Sequence, residues 1–290
     1  MPSSVQPAVH SFYSQRLRLN YVTWGDPAKP PLLLQHGMRD HCRSWDWLAR
    51  RLCRDWFIIA PDLRGHGDSQ WAEGGDYTMH GFVYDLAELI RQRELAPLTI
   101  VGHSLGGNVT LRYTGIYPEN VRKLVVIEGL GPSPKMLAEE EARGVAERLR
   151  GWIEGRRRTV AKSARRMASF DEALARMKAN NRRLSDEQAR HLTQHALRRH
   201  EDGSYGWKYD PFLLPRPPYD LPLEEMQRLW ARVECPTLLI YGKDSWASNP
   251  AEDGRAAHFR NARVVMVDDA GHWVHHDQFE YFCELLREFL

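Results

Sequence analysis

Cysteine is scarce in this chain: four residues, Cys42, Cys53, Cys235 and Cys283, in 290. They form no C-x-x-C pair and are too sparse for a disulfide framework, which fits packing thiols in a reducing compartment. No run of about 18 apolar residues is present to span a bilayer. The opening stretch "MPSSVQPAVH" also lacks the basic start and apolar segment of a secretory signal, so a cytoplasmic protein without a membrane partner is expected. Neither sign of charge dominates, because 40 Lys and Arg oppose 38 Asp and Glu. A net charge of +2 gives the whole molecule no field toward nucleic acid. There is no internal repeat and no low-complexity tract. What the chain does have is 42% hydrophobic composition, enough for one large core, or for a core with a modest second lobe.

The apolar residues fall into alternating strand-like and helix-like runs. "HSFYSQ" and "RLRLNYVTWG" read as an opening hairpin, and "PPLLLQHG" as a third, fully buried strand. Helical spacing in "SWDWLARRL" precedes a fourth strand, "FIIAPD"; the amphipathic "MHGFVYDLAELIRQ" leads to a fifth, "PLTIVG". "GGNVTLRYTGIYP" then predicts a helix closed by Pro118, and "VRKLVVIEG" a sixth strand. From Gly131 the alternation stops, and residues 132–230 carry helical spacing with 20 Arg or Lys and 15 Asp or Glu. Such a surplus is usually a solvated helical face, and no aromatic-laced basic stripe suggests a nucleic-acid partner. The alternation resumes with "PTLLIYG", a helix near "PAEDGRAAHF", the strand "ARVVMVDD" and a last helix, "HHDQFEYFCELLREFL". The expectation is an α/β core over 1–131 and 231–290, with a mostly parallel eight-stranded sheet. A helical lobe at 132–230 would roof the carboxyl ends of its strands.

One short stretch concentrates the chemistry. In "TIVGHSLGGN" a buried strand runs into Ser104, flanked by Gly102, Gly106 and Gly107. A strand turning sharply into a helix cramps the backbone, so its neighbours must be small, and the serine hydroxyl then stands clear of the sheet. A serine hydroxyl needs a base, and the base needs an orienting acid. His272, in the loop after the last strand, supplies the base.

These features resemble the α/β-hydrolase superfamily over nearly the whole chain: His36-Gly37 after the third strand, "PDLRGHGDS" after the fourth, "GHSLGG" after the fifth and "GHW" after the eighth. The chain looks most like the capped serine hydrolases, including the serine-hydrolase-like proteins and esterases. The resemblance implies a Ser-acid-His chain order, a cap over the site and no cofactor. It also implies an oxyanion hole formed by the main-chain N–H groups of Met38 and Leu105. Haloalkane dehalogenases and epoxide hydrolases of this fold carry aspartate where this chain has Ser104, so those activities are not expected. The acid is expected at Glu128, at the tip of the sixth strand. Asp244 is the alternative, because relatives place aspartate in a G-x-x-D pattern whose last position here is Ser245.

The implied activity is hydrolysis of a small ester or related acyl compound. Carbon–carbon bond hydrolysis of a diketone, or ligand binding without turnover, are the alternatives. His36, Trp45, His103, Trp246 and Trp273 are candidates for lining the substrate pocket, with core packing the competing role for each. His66 and Asp68 fit a turn-stabilising role. His272, His275, His276 and Asp277 carry no H-E-x-x-H spacing and straddle a loop and a helix, so no metal site is expected there.

Overall fold

A computed structural model describes residues 6–161, 166–215 and 217–290. The first half contains β1 Ala8–Ser14, β2 Leu17–Trp24, β3 Pro31–Gln35, α1 Asp46–Leu52, β4 Phe57–Pro61, α2 Met79–Gln92, β5 Leu98–His103, α3 Leu105–Ile116 and β6 Val121–Ile127. The chain then leaves the sheet for α4 Pro134–Glu141, α5 Val145–Ala161, α6 Phe170–Asn180, α7 Asp186–Ala196 and the strands β7 Leu197–Arg199 and β8 Tyr205–Trp207. It returns through α8 Leu223–Ala231, β9 Thr237–Gly242, β10 Ala262–Val267, α9 Val274–Asp277 and α10 Phe279–Phe289.

Eight strands form one sheet in the order β1-β2-β4-β3-β5-β6-β9-β10. The antiparallel pairs are β1–β2, a hairpin, and β2–β4, so β2 runs against the direction of the other strands. The parallel strands read as unbroken apolar runs because both faces are covered. Leu33, Ile100, Leu124 and Leu239 point to the face under α2, α3 and α8. Their neighbours Leu32, Val101, Val125 and Leu238 point to the opposite face, under α1 and α10. This period of two splits the core into two layers.

Three local readings change. The helix expected at "PAEDGRAAHF" is only a 3-10 turn at Arg255–His258, because Gly254 adopts a left-handed φ of 85° and interrupts helical backbone. The buried Arg255 there donates to the Gly131 and Ser248 carbonyls. The last helix breaks at Gln278 (φ −127°, ψ 55°) into α9 and α10. The lobe also contains the hairpin β7–β8, whose strands of three residues each are too short to leave a period-two pattern in the sequence.

Among its described residues, the lobe between β6 and α8 has two small apolar clusters of its own, one around Met167, Ala173 and Leu197 and another around Leu184, Ala189 and Leu192, while Leu213 packs into the main apolar cluster. No side chain of α4 or α5 is fully buried. By α8 the chain has already rejoined the core, since Met226 and Trp230 are buried within the main apolar cluster. The return therefore precedes the expected boundary at residue 231. No helix among the described residues is long and apolar enough to cross a membrane.

The turn from β5 into α3 explains the crowding of glycine. An added Cβ at Gly106 would lie 2.3 Å from the His36 carbonyl oxygen, and one at Gly102 would lie 2.8 Å from the Gly107 Cα. Both contacts involve main chain, which cannot swing aside. Gly106→Ala should therefore destabilise the fold by about 3 kcal/mol, the upper end for overpacking, as measured by urea denaturation. An unchanged midpoint would mean that the turn is not this tightly packed.

Candidate active site

Five chain segments converge at the carboxyl edge of the sheet. Ser104 follows β5, Glu128 follows β6, residues 242–245 end β9, His272 follows β10, and His36 to Asp40 follow β3. Ser104 holds a strained φ of 52° with ψ −119°. Its N–H donates to the Ile127 carbonyl (2.8 Å) and its own carbonyl accepts from Asn108 (3.0 Å), so the strain is held from both sides. Glu128 is strained likewise, at φ 49°.

The three side chains form one hydrogen-bonded line. His272 Nδ1 lies 2.5 Å from Glu128 Oε2, and His272 Nε2 lies 2.9 Å from Ser104 Oγ. A carboxylate only accepts, so Nδ1 carries the proton and Nε2 is left to accept from the serine hydroxyl. The Glu128 side chain is fully buried, yet three donors satisfy it. Gly242 N–H reaches Oε1 (2.9 Å), while Ser245 Oγ (2.6 Å) and His272 reach Oε2. Ser245 stands at the last position of the G-x-x-D pattern, and here it donates to the Glu128 carboxylate. Its position after β9 was the available signal for this contact. Asp244 points away, bonded to Arg183 (2.7 Å) and half exposed.

The main-chain N–H groups of Met38 and Leu105 have no hydrogen-bond partner among the described residues. Leu105 opens α3, where unpaired donors and the helix dipole favour negative charge.

The pocket candidates separate. Trp246 and Trp273 line a cavity of about 3290 Å³ that contains Ser104 and His272 and lies between core and lobe. The Trp246 ring sits 5.1 Å from that of His272 and is largely exposed. His103 borders the cavity but is buried, and its Nε2 donates to the His272 carbonyl (2.9 Å). His36 and Trp45, expected at the pocket, are instead in the interior. His36 accepts from Leu63 N–H (3.0 Å) and its Nδ1 meets the Gly37 carbonyl (2.8 Å), pinning two loops together; burial lowers its pKa to about 4. Trp45 packs under the sheet and stacks on His275 at 4.7 Å.

His66 donates to the Arg64 carbonyl, and Asp68 N–H donates to the buried Asp62, so both belong to the turn. His272, His275, His276 and Asp277 take different partners, although the His275 and His276 rings lie 4.3 Å apart. His276 bonds Ser44 (2.9 Å), and Asp277 accepts from Gly271 N–H (2.8 Å), which holds the His272 loop. His275, however, joins a group the sequence did not suggest. Asp40, His103 and His275 are all buried, with ligand atoms within 4.8 Å of one another. Asp40 Oδ2, His103 Nδ1 and both ring nitrogens of His275 lack hydrogen-bond partners. Asp46, His191 and His195 form a second group that could hold a cation, although Asp46 already pairs with Arg43 (2.7 Å).

Burial raises the Asp40 pKa from 3.8 to about 7. An acid that binds its proton more tightly when folded contributes stability that is lost as pH rises from its unfolded to its folded pKa. Asp40→Asn carries no charge, so its melting temperature should gain on wild type across about pH 4 to 7 and hold that gain above. Parallel thermal melts test this; a difference independent of pH would remove the buried acid from the account.

A family model described as "alpha/beta hydrolase fold" matches residues 30–279. The "Serine hydrolase-like protein" of Danio rerio is 24% identical over 277 residues, covering 92% of this chain and 83% of that protein. "Esterase Rv0045c" of Mycobacterium tuberculosis is 28% identical over 280 residues, covering 93% and 85%. Among solved structures, the thioesterase domain from the curacin biosynthetic pathway superposes with a TM-score of 0.84 at 20% identity, covering 97% of this chain and 99% of that one.

Proposed function

The chain belongs to the α/β-hydrolase family, and on that premise we propose that it is a serine hydrolase cleaving a carboxylic ester through an acyl-enzyme. The observation that carries this reading is the continuous line from Glu128 through His272 to Ser104, with separations of 2.5 and 2.9 Å. The likeness to a protein named as an esterase supports the class of bond.

In this mechanism His272 Nε2 takes the Ser104 proton as Oγ attacks the ester carbonyl carbon. The Met38 and Leu105 N–H groups receive the negative charge that develops on the carbonyl oxygen. The protonated His272 then gives its proton to the departing alkoxide, which leaves as the alcohol. A water attacks the acyl-enzyme, with His272 again the base, and the acid is released as Ser104 recovers its proton. Throughout, Glu128 holds the Nδ1 proton in place and stabilises the imidazolium. Its bonds from Gly242 and Ser245 keep that carboxylate from rotating. Lobe residues would roof the site as a cap over residues 132–230, selecting substrates by shape.

Ser104→Ala should fold normally and lose both ester turnover and labelling by a fluorophosphonate probe. Unlabelled wild type would point to a binding protein, and full turnover in the variant would rule out Ser104 as nucleophile. His272→Ala should be similarly damaging, because such groups act as a unit.

The acid is tested separately. Glu128→Gln should lower kcat by on the order of 10⁴, as amide replacement of the acid does in a serine-protease triad, while Asp244→Asn stays near wild type. The reverse pattern, measured on p-nitrophenyl esters, would transfer the role to Asp244.

A further inference from the structure

The overall charge of the chain is nearly balanced, but the cavity wall is not. Its cationic side chains include Arg39, Arg158 and Arg182 and no lysine. These three arginines have no hydrogen-bond or ion-pair partner among the described residues. The carboxylates on the same wall are mostly engaged. Glu128 belongs to the line described above, Asp277 takes the Gly271 N–H, Asp220 is clasped by two bonds from Arg112, and Glu140 pairs with Arg143. Among the described residues of the wall, Glu147 is the one carboxylate left to offset them. Arg148 adds a buried Nε without a partner, its guanidinium lying 5.7 Å over the Tyr219 ring.

Arg39 stands out by backbone as well as by charge. Asp40 N–H closes a turn onto the Gly37 carbonyl (3.4 Å), and Arg39 occupies the third turn position at φ 61°. Glycine takes that conformation without strain, whereas arginine does not. The turn lies against the nucleophile, since a Cβ on Gly37 would come within 3.0 Å of Ser104 Cβ. It also carries Met38, the proposed oxyanion donor. Arg39, Ser104 and Glu128 are thus three strained non-glycine residues at one site, the other four with positive φ among the described residues being Gln15, Arg16, Glu94 and Asp269. The exposed side chain of Arg39 faces the cavity.

We infer that the substrate carries an anionic oxygen group, a carboxylate or a phosphate, close to its scissile ester, and that Arg39 recognises this group. A guanidinium fork matches either anion in two parallel bonds, which lysine cannot reproduce. Arg158 and Arg182 add to the positive potential on the wall. A near-neutral molecule thus presents a locally cationic site, suited to a small anion rather than to a polyanion. The inference rests on the ester-hydrolase reading, and its test separates the two.

Two p-nitrophenyl esters are compared: the half-ester of glutaric acid, and a neutral isostere with an isopropyl group in place of the free carboxylate. Wild type should favour the anionic ester about 10–100-fold in kcat/KM, mainly through KM, the range expected of a charge-assisted pair. Arg39→Gln should bring that ratio toward unity, and Arg39→Lys should restore part of it. A third ester bearing a phosphate monoester distinguishes the two anions. Should Arg39→Gln fail to fold, Arg39→Gly relieves the strained backbone and must lose the preference as well. Preference for the neutral ester in wild type, or an undiminished ratio in the Arg39 variants, overturns the inference. Calorimetric binding of the same esters to Ser104→Ala needs no turnover. If wild type cleaves neither ester, tighter binding of the half-ester there keeps the inference while the hydrolase reading falls; equal binding removes both.

Discussion

A buried carboxylate must be surrounded by donors or lose its charge, and that requirement at Glu128 organises the carboxyl edge of the sheet. Its two oxygens take the Gly242 N–H from the end of β9, the Ser245 hydroxyl from the following turn and the His272 ring from the loop after β10. The ends of β9 and β10 are thereby tied to one side chain at the end of β6. The left-handed backbone of Glu128 aims that side chain, and its own N–H donates to the Ile240 carbonyl (3.0 Å) of the neighbouring strand. The strain is thus offset by hydrogen bonds from the sheet that it serves.

The layer beneath follows from the same arrangement. His272 is held through its carbonyl by His103 and through Gly271 by Asp277, so its ring orientation depends on main-chain contacts on both sides. His103 in turn packs against His275, with ring centroids 4.6 Å apart, and His275 against Trp45. This aromatic column links the site to the core under α1 and α10. It explains why Trp45, near the site in sequence, is interior in space.

The lobe is joined to the core differently. Its apolar clusters are small, and polar bonds carry much of the attachment: Arg112 to Asp220, Tyr77 to Asp210, Gln188 to the His276 carbonyl and His41 to the Leu192 carbonyl. Segments with few buried apolar contacts open at lower free energy than a sheet core. The site is therefore bounded on one side by a rigid sheet edge and on the other by a more weakly anchored wall, where most of the cavity's arginines reside.

Local pattern was enough for the alternation of strands and helices, the glycine-lined turn at Ser104 and the placing of Ser104, Glu128 and His272 at strand ends, because periodicity and steric demand act over a few residues. The same reasoning located the departure of the chain at Gly131, where buried strand runs cease. It could not decide between Glu128 and Asp244, whose distances to His272 depend on the register of β6 and β9 and on a strained φ that no residue type announces. Nor could it separate Trp45 from Trp246, since proximity along the chain does not say to which side of a sheet a ring turns. The buried group of Asp40, His103 and His275 draws on three distant segments, and the role of Ser245 on a fourth. These contacts belong to the tertiary structure alone, because a contact between side chains from separate strands exists only once the sheet has set their spacing.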